Sequence, residues 1–167
     1  TGWTHLLQQR LAERGHPHRI VNASISGDTT AGGRSRLPAL LERHRPAIVV
    51  IELGGNDGLR GGSLAATREN LGVMTAATKS AGAKPLLVGM KLPPNYGPAY
   101  TREFDAIFAE VAKAQRAPLV PFFFAGLLTC QPVRLRPLRR AIGSPKRASL
   151  KSGRDGSGGI RLPVNCT

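Results

Sequence analysis

Apolar residues along this chain alternate between a helical and a strand period four times before residue 125. Trp3, Leu6, Leu7 and Leu11 share one face of a helix that Gly15 closes, and residues 19–22 read as a short strand. A second helix opens near Thr29 or Thr30, carries Leu37, Leu40 and Leu41 on one face, stops near Pro46 and feeds a strand over 47–53. Ser63 is suited to cap a third helix, through Leu71, Met74 and Ala77 to Gly82, with a strand over 85–90 behind it. Phe104, Ile107, Phe108 and Val111 mark the fourth helix and predict core, and residues 119–124 the fourth strand. Four helix-then-strand units predict an α/β domain with a parallel sheet and helices on both faces.

The stretch Ile48-Val-Val-Ile-Glu-Leu-Gly-Gly-Asn-Asp57 runs from a buried-strand pattern straight into a glycine pair and two polar side chains. Parallel strands deliver ligand-binding groups at their carboxyl ends, and Gly54-Gly55 would let the chain turn and present Asn56, a neutral amide donor. An ordinary turn uses the same residue types. The loop 22–30 lies at the same sheet edge, where Gly27 can expose a backbone N–H.

At 167 residues the chain is one domain by length, with a formal charge of +14. Residues 1–125 carry 15 Lys and Arg against 9 Asp and Glu, and residues 126–167 carry 9 against the single Asp155, so basic character concentrates in the tail. Beyond Ala125 no period is sustained, Gly, Ser, Pro and Arg dominate, and little fixed structure is expected over 126–167. Cys130 and Cys166 neither define a zinc site nor report a redox compartment. No apolar run approaches the length of a membrane span.

Taken together, Ser26-Gly-Asp-Thr-Thr30, Glu52-Leu-Gly-Gly-Asn-Asp-Gly-Leu-Arg60 and Lys91-Leu-Pro-Pro-Asn-Tyr-Gly97 resemble the SGNH hydrolases, or GDSL esterases, in particular the bacterial acyl-CoA thioesterase I, lysophospholipase and arylesterase branch. The resemblance runs from Thr1 to about Ala125. It implies a three-layer α/β/α flavodoxin-like fold and a serine hydrolase of acyl esters or thioesters that uses no cofactor or metal. In that family a Ser of Gly-Asp-Ser-Leu attacks the carbonyl, a His activates it, and an Asp three residues before the His orients the ring. Matched by motif, Gly27 and Asn56 are oxyanion-hole donors, while Asp57, Leu59, Pro94, Asn95 and Tyr96 are the expected substrate contacts. The resemblance also implies a periplasmic or secreted address, against a cytoplasmic one, and a monomer when full length.

Half of that machinery is not in these residues. No Gly-Asp-Ser occurs, and His5, His16, His18 and His44 all precede residue 45, so no Asp-x-x-His follows the last strand. The segment Gly2–Leu11 resembles the helix that follows the nucleophile loop, so the first strand and the nucleophile are expected upstream of residue 1. A slip of reading frame near Ala125 would account for the abrupt change in charge and period.

Plainer readings stand beside these. Asp28 is read either as orienting the oxyanion loop or, the favoured reading, as a helix N-cap, a place that Asp or Thr fills; Asp57 is expected as the brace of its own turn, and Ser26 as a loop residue that no His is placed to activate. The four histidines are expected to be solvated, and 92–97 reads equally as a rigid loop. A non-catalytic acyl-binding remnant is one alternative function. Binding of nucleic acid or an anionic surface through 134–161 is another, although the tail has no aromatic residue for base stacking and no recognised motif.

Overall fold

The computed structural model describes residues 2–122 and 160–164. In chain order the elements are α1 (Trp3–Glu13), β1 (His18–Asn22), α2 (Thr30–His44), β2 (Ile48–Ile51), α3 (Gly55–Leu59), α4 (Leu64–Ser80), β3 (Lys84–Val88), a 3₁₀ turn (Pro94–Tyr96), α5 (Pro98–Ala114), β4 (Leu119–Val120) and β5 (Ile160–Val164). The four predicted helix-strand units are all present; the fourth strand is described over Leu119–Val120, and residues 123–124 of its predicted span lie outside the described residues. Local chemistry explains the boundaries: the Ser63 hydroxyl accepts from Ala66 N–H to open α4, and Thr29 does the same from Gly32 to open α2.

All pairings are parallel, and the sheet order is β1-β5-β2-β3-β4. Successive strand residues face opposite sides, so β2 divides its side chains between two layers. Val49 and Ile51 join Leu37 and Leu41 of α2, Leu71 and Met74 of α4, and Phe104, Ile107 and Phe108 of α5 in the main core. Ile48 and Val50, with Leu86 and Val88, form a second cluster against which Trp3 of α1 packs. The result is an α/β/α arrangement, as expected.

Two expectations are corrected. Residues 160–164 lie in the tail read as unstructured, yet they form β5, pairing from His18↔Ile160 through Asn22↔Val164. An extended segment needs no internal period when two parallel neighbours supply its hydrogen bonds, so the composition of the tail did not reveal it. The rest of the tail, including 134–140 and 149–159, lies outside the described residues. The second correction concerns His18, expected in solvent: it is a β1 residue only 8% exposed. Burial, followed by the neighbouring charge of His16, pushes its pKa below the usual 6.5.

Candidate active site

Two loops meet at the carboxyl edge of the sheet. The first leaves β1 and is shaped by its own polar groups: Ser24 N–H donates to the Asn22 side-chain oxygen at 3.0 Å, and Asp28 N–H to Ile25 C=O at 3.2 Å. Gly27 sits inside that turn with φ +75°, a left-handed conformation that favours glycine. Asp28 is not the helix cap. Its carboxylate takes a salt bridge from Arg36 eight residues on, and the same guanidinium donates to Ala23 C=O at 3.1 Å. Arg36 thus ties both ends of the loop to α2, and Thr29 is left to cap.

The second loop leaves β2 through Gly54, whose φ of +116° swings the chain straight into α3. A Cβ there would also stand 3.3 Å from Phe108 Cζ, so the position is closed by conformation and by space. Gly55, Asn56 and Asp57, which composition reads as turn, form the first turn of a short helix. Asn56 Nδ2 donates to Asp28 C=O at 2.9 Å, and Arg60 Nη2 donates to Gly27 C=O at 3.2 Å. These two bonds bring Gly27 and Asn56 together although β1 and β2 are not adjacent; β5 lies between them. An amide has two hydrogens, and among the described residues the second on Asn56 has no partner.

Asp57, expected to touch substrate or to brace its own turn, braces the start of α2 in place of its own turn. Its carboxylate accepts from Thr30 N–H at 2.9 Å and Thr30 Oγ1 at 2.5 Å, and Asn70 Nδ2 donates to the same hydroxyl at 3.1 Å. Thr30 is 0% exposed, so the carboxylate supplies a buried helix start with an acceptor and a negative charge. Local spacing cannot announce such a pair, since 27 residues separate its members.

Tyr96 and Tyr100 stack at 6.5 Å and donate to Leu59 C=O (3.0 Å) and Gly58 C=O (3.2 Å), fastening the 3₁₀ turn and α5 to the end of α3. Burial, with smaller pushes from Tyr96, Asp57 and Glu103, raises the Tyr100 pKa above 10. The i,i+4 spacing of the two tyrosines is the one sequence signal that could have found Tyr100. Pro94 and Asn95 lie exposed on the 3₁₀ turn, and Leu59 (47% exposed) and Ile25 (50%) present apolar surface from the two loops. Ser26 is exposed in the first loop, and no described residue hydrogen-bonds its hydroxyl. No group of three or more His, Cys, Asp or Glu suited to a metal occurs among the described residues. An open groove of about 690 Å³ between Leu41, Glu42, Arg45, Ala77 and Ser80 lies at the opposite end of the helices, away from both loops.

Residues 1–141 match the model of the GDSL-like lipase/acylhydrolase family. The chain belongs to that family. It is 56% identical over 126 residues to "Esterase TesA" of Pseudomonas aeruginosa, covering 75% of this chain and 63% of that protein. To "Thioesterase 1/protease 1/lysophospholipase L1" of Escherichia coli K12 it is 51% identical over 121 residues, covering 72% and 57%. The crystal structure of AlinE4, described as an SGNH-hydrolase family esterase, superposes with a TM-score of 0.73 at 35% identity, over 90% of this chain and 76% of that one. The chain therefore spans less than two thirds of the length of the two named relatives. The family match runs past Ala125, into residues outside those described. Among the described residues no helix is long and apolar enough to cross a membrane.

Proposed function

We propose that the two loops are the oxyanion-stabilising part of a serine hydrolase of acyl esters and thioesters, with Gly27 N–H and the Asn56 amide as donors. One observation carries this reading: the 2.9 Å bond from Asn56 Nδ2 to Asp28 C=O, which holds the amide beside Gly27 with one hydrogen to spare. Donors fixed before reaction stabilise a developing negative charge without reorganising at the moment it forms. The exposed Leu59 and Ile25 offer the acyl chain apolar surface, and Tyr96, Pro94 and Asn95 form its rim. Asp57 holds the Asn56 loop against α2 through Thr30.

In the family mechanism a Ser of Gly-Asp-Ser-Leu attacks the carbonyl, passes its proton to a His, and the tetrahedral oxyanion falls to the donors. Neither Gly-Asp-Ser nor Asp-x-x-His occurs in these 167 residues, so the isolated chain stabilises an oxyanion it does not generate. A periplasmic address belongs to the same reading and rests on the resemblance.

The test compares residues 1–167 with a fusion that adds a Gly-Asp-Ser strand ahead of Thr1 and an in-frame Asp-x-x-His terminus, both on a p-nitrophenyl acyl ester with EDTA present. The fusion is expected to turn over and the isolated chain to be inactive. Within the fusion, Asn56→Ala is expected to lower kcat about a hundredfold with KM little changed. Equal turnover by the two proteins, lost on Ser26→Ala, would make Ser26 the nucleophile and end the proposal.

A further inference from the structure

Both proposed donors depend on one residue, Asp28. Gly27 N–H precedes it directly in the chain, and the Asn56 amide is anchored to its backbone carbonyl at 2.9 Å. Where Asp28 sits therefore decides how the two donors stand to each other. Its carboxylate is held from both ends: Oδ1 accepts from Thr29 N–H at 2.9 Å, and Oδ2 accepts from Arg36 Nε at 3.2 Å and from Arg36 Nη2. The remaining Arg36 nitrogen, Nη1, donates to Ala23 C=O at 3.1 Å. One planar guanidinium thus closes the loop from Ala23 to Asp28, with Gly27 inside it.

α2 is shaped to receive that side chain. Arg36 lies one helical turn beyond Gly32, so the two share a face of the helix. A Cβ on Gly32 would overlap Asp28 Oδ1 and stand 3.0 Å from Asp28 Cγ, so any larger residue there displaces the carboxylate. Alanine would suit the helix better than glycine, and the close approach of Asp28 is the reason for glycine at this position. The Asp28 side chain is only 12% exposed, so water cannot replace Arg36 as its partner without movement of the loop. The Asn56 loop is fastened to the same helix, where Thr30 N–H donates to Asp57 at 2.9 Å. Both loops are thus seated on the first two turns of α2.

We propose that Arg36 and Gly32 are positioning residues of the oxyanion hole, which seat Asp28 on α2 and through it fix the Gly27 N–H and the Asn56 amide relative to each other. Without the guanidinium the carboxylate keeps its charge, loses its cation and turns to water. The Asp28 carbonyl moves with it, which frees the Asn56 amide to rotate and lets the Gly27 peptide follow. The use made of these donors rests on the proposed function; the seat itself rests on the loop geometry alone.

Nuclear magnetic resonance of the nitrogen-15-labelled full chain tests the seat directly. The Asn56 side-chain amide gives two proton signals, of which the bonded one exchanges slowly, and Gly27 gives one backbone signal. Arg36→Met and Gly32→Ala are each expected to bring both Asn56 signals to the shifts and exchange rates of a free asparagine side chain and to move the Gly27 signal, with the amides of α4 and α5 unchanged. Arg36→Lys keeps the charge without the fork and is expected to behave as Arg36→Met does. Ser63→Ala, which removes the cap of α4, is expected to leave all three signals in place. In the fusion carrying Gly-Asp-Ser and Asp-x-x-His, Arg36→Met should lower kcat about tenfold or more with KM within about twofold, as misplaced transition-state donors do. An unmutated fusion that fails to turn over counts against the proposed function, while the amide signals still decide the seat. Asn56 and Gly27 signals that survive Arg36→Met or Gly32→Ala, the same loss in Ser63→Ala, or a raised KM at unchanged kcat would overturn the proposal.

Discussion

Replacing Asp57 with Ala withdraws the acceptor on which the first turn of α2 rests. Thr30 is fully buried, and its N–H and hydroxyl both donate to that carboxylate, at 2.9 and 2.5 Å. A buried donor left without a partner costs about 1–3 kcal/mol. The two losses are unequal, since the hydroxyl can rotate and still accept from Asn70 Nδ2, whereas the backbone N–H is fixed. Asp57 is itself half-buried, so water can enter part of the vacated space, which places the N–H term at the lower end. Loss of a negative charge at a helix N-terminus adds about 0.3–1 kcal/mol. The expected destabilisation is therefore about 2–3 kcal/mol for Asp57→Ala and about 1 kcal/mol for Asp57→Asn, which keeps one oxygen. Urea unfolding followed by circular dichroism reads this as a lowered midpoint at unchanged slope. A double-mutant cycle with Thr30→Val should show coupling above about 0.5 kcal/mol. A midpoint shift worth less than about 0.5 kcal/mol, together with weakened binding of an acyl ligand, would refute the brace and return Asp57 to the cleft.

Gly54→Ala should cost about 2 kcal/mol, because the new side chain must hold φ at +116° and press on Phe108 at 3.3 Å; a variant as stable as the parent in the same urea assay would contradict this. Burial, partly opposed by Lys91, pushes the Asp105 carboxyl above its usual 3.8, so the folded chain keeps its proton over a range where the unfolded chain has lost it. Stability tied to Asp105 is then complete below pH 3.8 and declines as pH rises through the folded pKa. Asp105→Asn removes that dependence, so its stability relative to the parent should improve between pH 3 and pH 7; thermal midpoints that keep a constant difference, or diverge the other way, would sink the assignment.

Much of the fold was legible because its causes are local. The Phe104, Ile107, Phe108 and Val111 stripe, the Ser63 cap and the Ile48–Ile51 run act through neighbours within one helical turn or along one strand, and each was found where periodicity placed it. The meeting of the two glycine-bearing loops was also legible, since consecutive parallel units deliver their loops to one sheet edge. What the loops do to each other was not. Gly55–Leu59 has the composition of a turn and becomes helix because Gly54 adopts a backbone angle that packing against Phe108 reserves for glycine. Asp57 reaches Thr30, Arg60 reaches Gly27 and Tyr100 reaches Gly58 across 27, 33 and 42 residues, distances at which no sequence period survives. The place of Ile160–Val164 is the extreme case: a short segment with a proline and an arginine inside it carries no strand signature of its own. Its conformation is decided by two parallel neighbours whose unpaired backbone groups must be satisfied, a demand that exists only once the sheet has formed.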